Sequence, residues 1–408
     1  MRSNPTRKTI GVFFGSRSAE HDVSIITAQL IMAGLRALGY AVMPVYLTKQ
    51  GTWLLGEELG ELNWFTDPGR TASRDKKYQR YSLDLEASRG KLVFREKGWN
   101  RKTVTIDLAF PAFHGTFGED GTIQGLFELF GVPYVGCGVP ASAVAMDKAL
   151  TKQLCQVHNI PTTPFISFSR HAWETDKAAV LARVQSELRW PVFVKPVHLG
   201  SSIGIAKVKE RNGNDLEFRI EVALHYDDTV LAEEAVEHVM DVTCCVVGND
   251  ELRTSVLQES TFSADLFDFE TKYLEEGGAQ WGKSRSRVVI PARVDEDTTR
   301  EIQEMAKRVY RAIGCSAIAR VDFLYDQASK RLYANEVNPL PGTLYHHLWK
   351  ASGLELPQLL EELLKLAVER QAARERLTYA FASDILRQPA AAKLKLVKPQ
   401  THERNAEN

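Results

Sequence analysis

The sequence predicts an α/β protein of more than one domain, and three observations carry that prediction. Strand-like and helix-like apolar patterns alternate through the first half, strands cluster after Thr229, and 408 residues exceed what one hydrophobic core usually serves.

Taken in order, Thr9–Phe14 (TIGVFF) reads as a buried strand, Val23–Leu38 as a helix with Ile26, Leu30, Ile31, Leu35 and Leu38 on its apolar faces, and Ala41–Leu47 as a second strand. Residues 51–102 are polar and charged and read as an irregular, variable insertion. A strand over Val104–Phe113 and a helix over Asp120–Phe130 resume the pattern. Helix Asp147–His158, strand Thr163–Phe168, helix Lys177–Leu188 and strand Val192–Val197 follow. Beyond Thr229 several strands precede a helix near Asp295–Ile313, two strands at Ala317–Tyr325 and Leu332–Val337, and a helix at Pro357–Arg374. The tail, 389–408, lacks apolar periodicity and is expected to be disordered.

Composition removes several classes. Lys and Arg number 51 against 52 Asp and Glu, so the broad basic footprint of a nucleic-acid binder is missing. The cysteines (Cys137, Cys155, Cys244, Cys245, Cys315) are odd in number and without CxxC spacing, which speaks against a disulfide framework or a zinc site and fits a reducing cytoplasm. No signal peptide and no membrane span are expected.

Chemistry concentrates in Ala317–Gly342 (AIARVDFLYDQASKRLYANEVNPLPG). Arg320 and Asp322 share one face of a strand, Glu336 and Asn338 one face of the next, and a hairpin can bring the four together. Carboxylates and an amide oxygen inside an apolar sheet are costly unless neutralised, and such ligands suit Mg²⁺ on nucleotide phosphates. The rival reading is a salt-bridged structural hairpin.

A second segment, Val194–Gly204 (VKPVHLGSSIG), places Lys195 at a strand end before a loop of small residues, Ser201 and Ser202 among them. Its backbone N–H groups can line a polyphosphate, with the lysine as a point charge. A flexible hairpin turn is the alternative, and a P-loop is not expected as the phosphate grip. Lys148 opens a helix after Gly136-Cys137-Gly138. Glu233 and Glu234 end a strand where an adenine edge can dock, or they are simply exposed. Gly15–Ser24, with Glu20, and His114–Gly121 each leave a strand and enter a helix, where α/β sheets present their sites. Glu20 can take an ammonium and His114 can meet an anion.

In this order the segments resemble the D-alanine:D-alanine ligase family from about Lys8 to Val368. The resemblance implies an ATP-grasp fold: a Rossmann-like N-terminal domain (8–136), then a central (137–239) and a C-terminal (240–374) subdomain clamping ATP. It implies ligation of two D-alanines through an acyl phosphate, for peptidoglycan precursors and cell-wall biogenesis. Lys148, Lys195 and Ser202 would contact phosphates, Glu233 and Glu234 adenine, and Asp241 the ribose. Asp322, Glu336 and Asn338 would hold two Mg²⁺ (or Mn²⁺). Glu20, Ser201 and Tyr273 would position the first substrate and tie down the loop Phe267–Gly278, with Lys272 beside them. Arg320 and the Gly342 N–H would stabilise the oxyanion, and His114 would orient substrate. A cytoplasmic homodimer is implied, with no nucleic-acid or membrane partner.

Two departures stand out. Where the family carries an acceptor-binding serine, the ungapped match is His347, followed by Leu348; and the ribose position is reached one residue late, at Asp241. Tyr273 matches the branch with an amine acceptor. Ligation to another amino or hydroxy acid is therefore the second reading, and a non-catalytic nucleotide-binding protein the third.

Overall fold

The computed structural model describes residues 8–66, 77–98, 102–211, 213–261, 287–380 and 382–383. Two compact units divide the chain, Met1–Gln371 and Ala372–Asn408, and the sheets lie in the first. In the second, the described residues carry the end of the helix Leu356–Glu375, closed by the Leu377 N–H on the Arg374 carbonyl.

Strand β1 (Thr9–Gly15) runs parallel to β2 (Ala41–Leu47), and β3 (Trp53–Leu55) lies antiparallel at the edge. The helix His21–Ala37 makes the crossover and buries Ile25, Ala28, Ile31, Met32 and Leu35. The segment expected to be irregular is not so throughout. With β3 it contributes β4 (Tyr81–Leu83) and β5 (Leu92–Glu96), and β6 (Thr103–Ile106) completes a three-stranded antiparallel sheet. Buried Leu92, Val93 and Phe94 anchor it, a short apolar run easily lost among charges.

The strand expected over Val104–Phe113 is two. It breaks at Asp107, whose carboxylate Oδ2 accepts the Thr9 N–H at 2.8 Å, and β7 (Leu108–Pro111) then joins β1 in parallel. This places His114 and Gly115 just beyond the β7 end, beside the loop leaving β1.

The third sheet, ordered β10-β9-β11-β8, is antiparallel: β8 (Phe165–Ser169), β9 (Val192–Pro196), β10 (Ala206–Val208) and β11 (Thr229–Glu234). Val180 and Val184 of one helix and Leu216 and Ile220 of another seal it against Val194 and Val230.

The largest sheet is built from β12 (Val239–Gly248), β13 (Arg253–Thr254), β14 (Gln258–Thr261), β15 (Arg287–Val289), β16 (Ala317–Asp326) and β17 (Arg331–Asn338), with β16 between β12 and β17. The helix Glu296–Ile313 packs beneath it through Ile302, Ala306, Val309 and Ile313. Asp295 caps its start and Gly314, at φ +77°, its end. Ala141, Ala145 and Cys155, from the helices Val139–Met146 and Lys148–Val157, enter the same core.

A β-bulge interrupts the β16–β17 ladder. Arg320 pairs with Asn338 and Asp322 with Glu336, but Phe323 pairs with Ala334, which leaves Asn335 as the extra residue. Leu332 and Ala334 therefore point into the core with Phe323 and Tyr325, while Glu336 and Asn338 turn to the other face with Arg320 and Asp322.

The C-terminal helices return to the first sheet. Leu348, Trp349, Leu359, Leu360 and Leu363 fill a core shared with the helix His21–Ala37. The crossing is close at Gly34, where a Cβ would stand 2.5 Å from Leu360 Cδ1.

Candidate functional site

The bulged hairpin presents a buried ionic face. Arg320 donates through Nε to both Asp322 oxygens at 2.9 Å and through a terminal nitrogen to Oδ2 at 2.6 Å, and lies 3.7 Å from Glu336 Oε1. Thr243, opposite Asp322 on β12, donates its hydroxyl to Asp322 Oδ1 at 2.7 Å. Burial alone would discharge Arg320; the Asp322 charge outweighs it and holds the guanidinium well above its ordinary pKa. The Arg320 guanidinium also lies 4.9 Å from the centre of the Tyr345 ring, whose hydroxyl burial pushes up to about 12. Asp241 shares this sheet face, two residues before Thr243. The donor set of two carboxylates and an amide oxygen, hard ligands backed by cations, fits Mg²⁺ or Mn²⁺.

Facing the hairpin are lysines. Lys148 Nζ stands 3.8 Å from Glu336 Oε2 and donates to the Leu199 carbonyl at 2.5 Å, and its own N–H bonds the Val197 carbonyl. Lys195 and Lys152 hold the two oxygens of Glu233, Lys195 on Oε1 and Lys152 on Oε2 at 2.7 Å; Thr163 also donates to Oε2, at 2.8 Å. Despite complete burial, the two lysine charges keep the Glu233 carboxyl far below its ordinary range. The sequence reading missed Lys152 and Thr163; the signal was the four-residue spacing from Lys148 along one helix face.

Glu234 requires a correction. Strand alternation sends its side chain to the other face, where Arg189 binds it through its backbone N–H at 3.0 Å and its guanidinium at 2.7 Å. Its carboxylate is therefore not part of the cluster. The Leu348 side chain is fully buried in the first core. The expectation about P-loops also needs revision. Gly277 to Ser284 (GGAQWGKS) spells the GxxxxGKS string, and it lies outside the described residues.

At the N-terminal side, Ser201 donates its hydroxyl to Glu20 Oε1. Ser201 and Ser202 both adopt left-handed backbone, φ +55° and +61°. Two glycines crowd Glu20. A Cβ on Gly115 would come within 2.8 Å of Glu20 Oε2, and one on Gly200 within 3.1 Å. Glu119, also missed from sequence, accepts the Gly115 N–H at 2.6 Å through Oε2, while its buried Oε1 has no partner among the described residues. Burial, then the Glu20 charge, raises its pKa well above normal.

His114 is buried beside Gly342, and burial together with Arg320 lowers its pKa to about 4. Its Nε2 lies 2.8 Å from Thr27 Oγ1, a contact no motif pointed to. After Gly342, Thr343, Leu344 and Tyr345 are successively left-handed, at φ 48°, 56° and 48°. His347 follows, exposed, with Nε2 2.8 Å from Gln258 Oε1 on β14. Tyr273, Lys272 and the loop Phe267–Gly278 lie outside the described residues.

Two family models match the chain: "D-ala D-ala ligase N-terminus" over residues 9–137 and "D-ala D-ala ligase C-terminus" over 154–365. The D-alanine--D-alanine ligase of Caldicellulosiruptor bescii is 36% identical over 92% of this chain and 99% of its own length. Among solved structures, the VanG D-Ala:D-Ser ligase of Enterococcus faecalis superposes with a TM-score of 0.73, at 32% identity, over 89% of this chain and 100% of that one. The D-alanine-D-alanine ligase of Coxiella burnetii gives 0.73, at 28% identity, over 91% and 96%.

Two antiparallel sheets, one carrying lysines and the other a carboxylate hairpin, define an ATP-dependent ligase of the ATP-grasp class. More narrowly, the chain belongs to the D-alanine--D-alanine ligase family.

Proposed function

We propose that this protein joins two molecules of D-alanine at the expense of ATP, forming a D-alanyl phosphate and then the dipeptide used in peptidoglycan precursors. The observation that carries the reading is the approach of Lys148 to Glu336 at 3.8 Å, because it puts a phosphate-binding cation beside a carboxylate suited to a phosphate-bridging metal. A carboxylate is a poor electrophile, and phosphorylation gives it a leaving group.

Under this reading Lys148, Lys195 and Ser202 bind phosphates, and Glu233 sets the position of Lys195 while presenting its strand to adenine. Asp241 contacts the ribose. Asp322, Glu336 and Asn338 would hold two Mg²⁺ (or Mn²⁺), which when bound neutralise phosphate charge. Glu20, held by Ser201, takes the ammonium of the first D-alanine, and Tyr273 completes that set beside Lys272. Neutral His114 orients the substrate. Arg320 and the Gly342 N–H back the oxyanion, in a site that must be dry for such donors to act strongly.

We place the domain boundaries near residues 136 and 239 and expect a cytoplasmic homodimer. No helix among the described residues is long and apolar enough to cross a membrane. Incubation with ATP, Mg²⁺ and D-alanine is expected to give ADP, phosphate and dipeptide by mass spectrometry; ATP turnover without dipeptide would reject the reading.

A second reading changes only the acceptor. His347 and its bond to Gln258 favour it, as does the 32% identity to a D-Ala:D-Ser ligase. A competition panel of D-alanine, D-serine and D-lactate separates the two.

A further inference from the structure

We infer that Thr27 is a positioning residue which fixes the tautomer of His114 and, through the same hydroxyl, anchors the turn that follows Gly342. Thr27 lies on the helix His21–Ala37 and is 1% exposed; His114 is 3% exposed. The Thr343 N–H reaches Thr27 Oγ1 at 3.2 Å, and His114 Nε2 lies 2.8 Å from the same oxygen.

The hydrogen-bond inventory decides the order of protons. A backbone N–H can only donate, so Thr27 Oγ1 accepts from Thr343. Its own proton then needs an acceptor, and among the described residues the one within reach is His114 Nε2. Had Nε2 carried the proton, the threonine hydroxyl would accept twice and its buried proton would be left without a partner, which is costly in a dry site. The chain therefore runs from the Thr343 N–H to the Thr27 O–H to His114 Nε2. Since burial keeps the ring neutral, its single proton sits on Nδ1.

The same oxygen serves a second purpose. Thr343 opens the run of three left-handed residues, a conformation that is strained for non-glycine residues and persists only where neighbours hold it. A Cβ on Gly342 would stand 3.7 Å from His114 Cε1, so ring and turn are neighbours. One hydroxyl on the N-terminal helix thus sets the ring's donor and ties the ring to the turn. The kinetic consequence rests on the function proposed above; the tautomer does not.

The test is ¹⁵N NMR of uniformly labelled full-length protein, with the His114 ring assigned by its loss in His114→Gln, alongside steady-state kinetics. Wild type is expected to carry the ring proton on Nδ1. Near-isosteric Thr27→Val is expected to lose the single tautomer and about tenfold in kcat at unchanged KM for ATP, and Thr27→Ser to restore both. A wild-type ring protonated on Nε2, an unchanged tautomer in Thr27→Val, or no recovery in Thr27→Ser overturns the inference. If wild type shows the Nδ1 tautomer but makes no dipeptide, the functional reading fails and this assignment stands.

Discussion

Glu233 and Lys152 form an ion pair at 2.7 Å in which the side chains are 1% and 2% exposed, between a strand of the third sheet and a helix that also feeds the core of the largest one. Lys195 closes on the remaining Glu233 oxygen, so one carboxylate serves two ammonium groups. The excess positive charge beside it makes the cluster a natural seat for an anion.

Removing Lys152 leaves Glu233 with one cation and a buried charge less compensated. Lys152→Met is expected to destabilise the protein by about 3–5 kcal/mol, the range for breaking a buried ion pair. Urea denaturation in the absence and presence of ATP measures it, and the loss should grow with ATP, whose anionic phosphates bind a cluster with one cation fewer less tightly.

Arg320 grips Asp322 with two nitrogens, a fork that lysine cannot reproduce. Arg320→Lys is expected to lower kcat by roughly 10²–10³ with little change in KM for ATP, as for removal of an oxyanion donor. A mainly KM effect would place Arg320 in ground-state binding instead.

His198 contributes a pH dependence. Its ring lies 3.4 Å from Asp147, the cap of the helix that carries Lys148, and 2.9 Å from Asp227, and these carboxylates raise its pKa to about 10. A raised folded pKa gives stability that is full below the ordinary value of 6.5 and is lost as pH climbs through 10. The side chain is 44% exposed, so screening reduces the contribution to about 1 kcal/mol. His198→Gln should therefore cost more at pH 6 than at pH 10, measured by denaturation at each.

Glu119 has the opposite economics for an acid. Its raised pKa means that its contribution is intact below the ordinary 4.5 and erodes as pH rises. Glu119→Gln keeps an acceptor for the Gly115 N–H without an ionisable group. It is expected to match wild type near pH 4 and to exceed it by roughly 1 kcal/mol or more at pH 8.

If His347 faces the acceptor, His347→Ser should change the ratio of kcat/KM for D-alanine over D-serine by about tenfold, close to 1.4 kcal/mol. An unchanged ratio would assign His347 to holding Gln258 alone.

Much of this was legible in the chain. The helices expected from Asp295 and from Asp147 follow from apolar spacing, and both formed, with those two aspartates as their caps. Asp322, Glu336 and Asn338 announced themselves as polar groups in apolar strands. Glu119 and Thr27 did not, because the first sits in a motif whose neighbours have obvious alternative duties and the second reads as an ordinary helix residue, and only three-dimensional proximity to Glu20 and Thr343 gives them meaning. The strands near Leu92 were hidden by their brevity. Glu234 was misplaced because two adjacent glutamates on a strand cannot face the same way.

The extra residue at Asn335 shifts the parity of the strand between its apolar half and its ionic half. Strict alternation from Leu332 and Ala334 would carry Glu336 and Asn338 inward. A lineage that lost the Asn335 codon would keep every flanking side chain on its present face in a straightened ladder, whereas one that gained a codon there would turn either the apolar layer or the polar face inside out. Point substitutions can be sampled one at a time across this hairpin, but a change in its length is safe only where the bulge absorbs it.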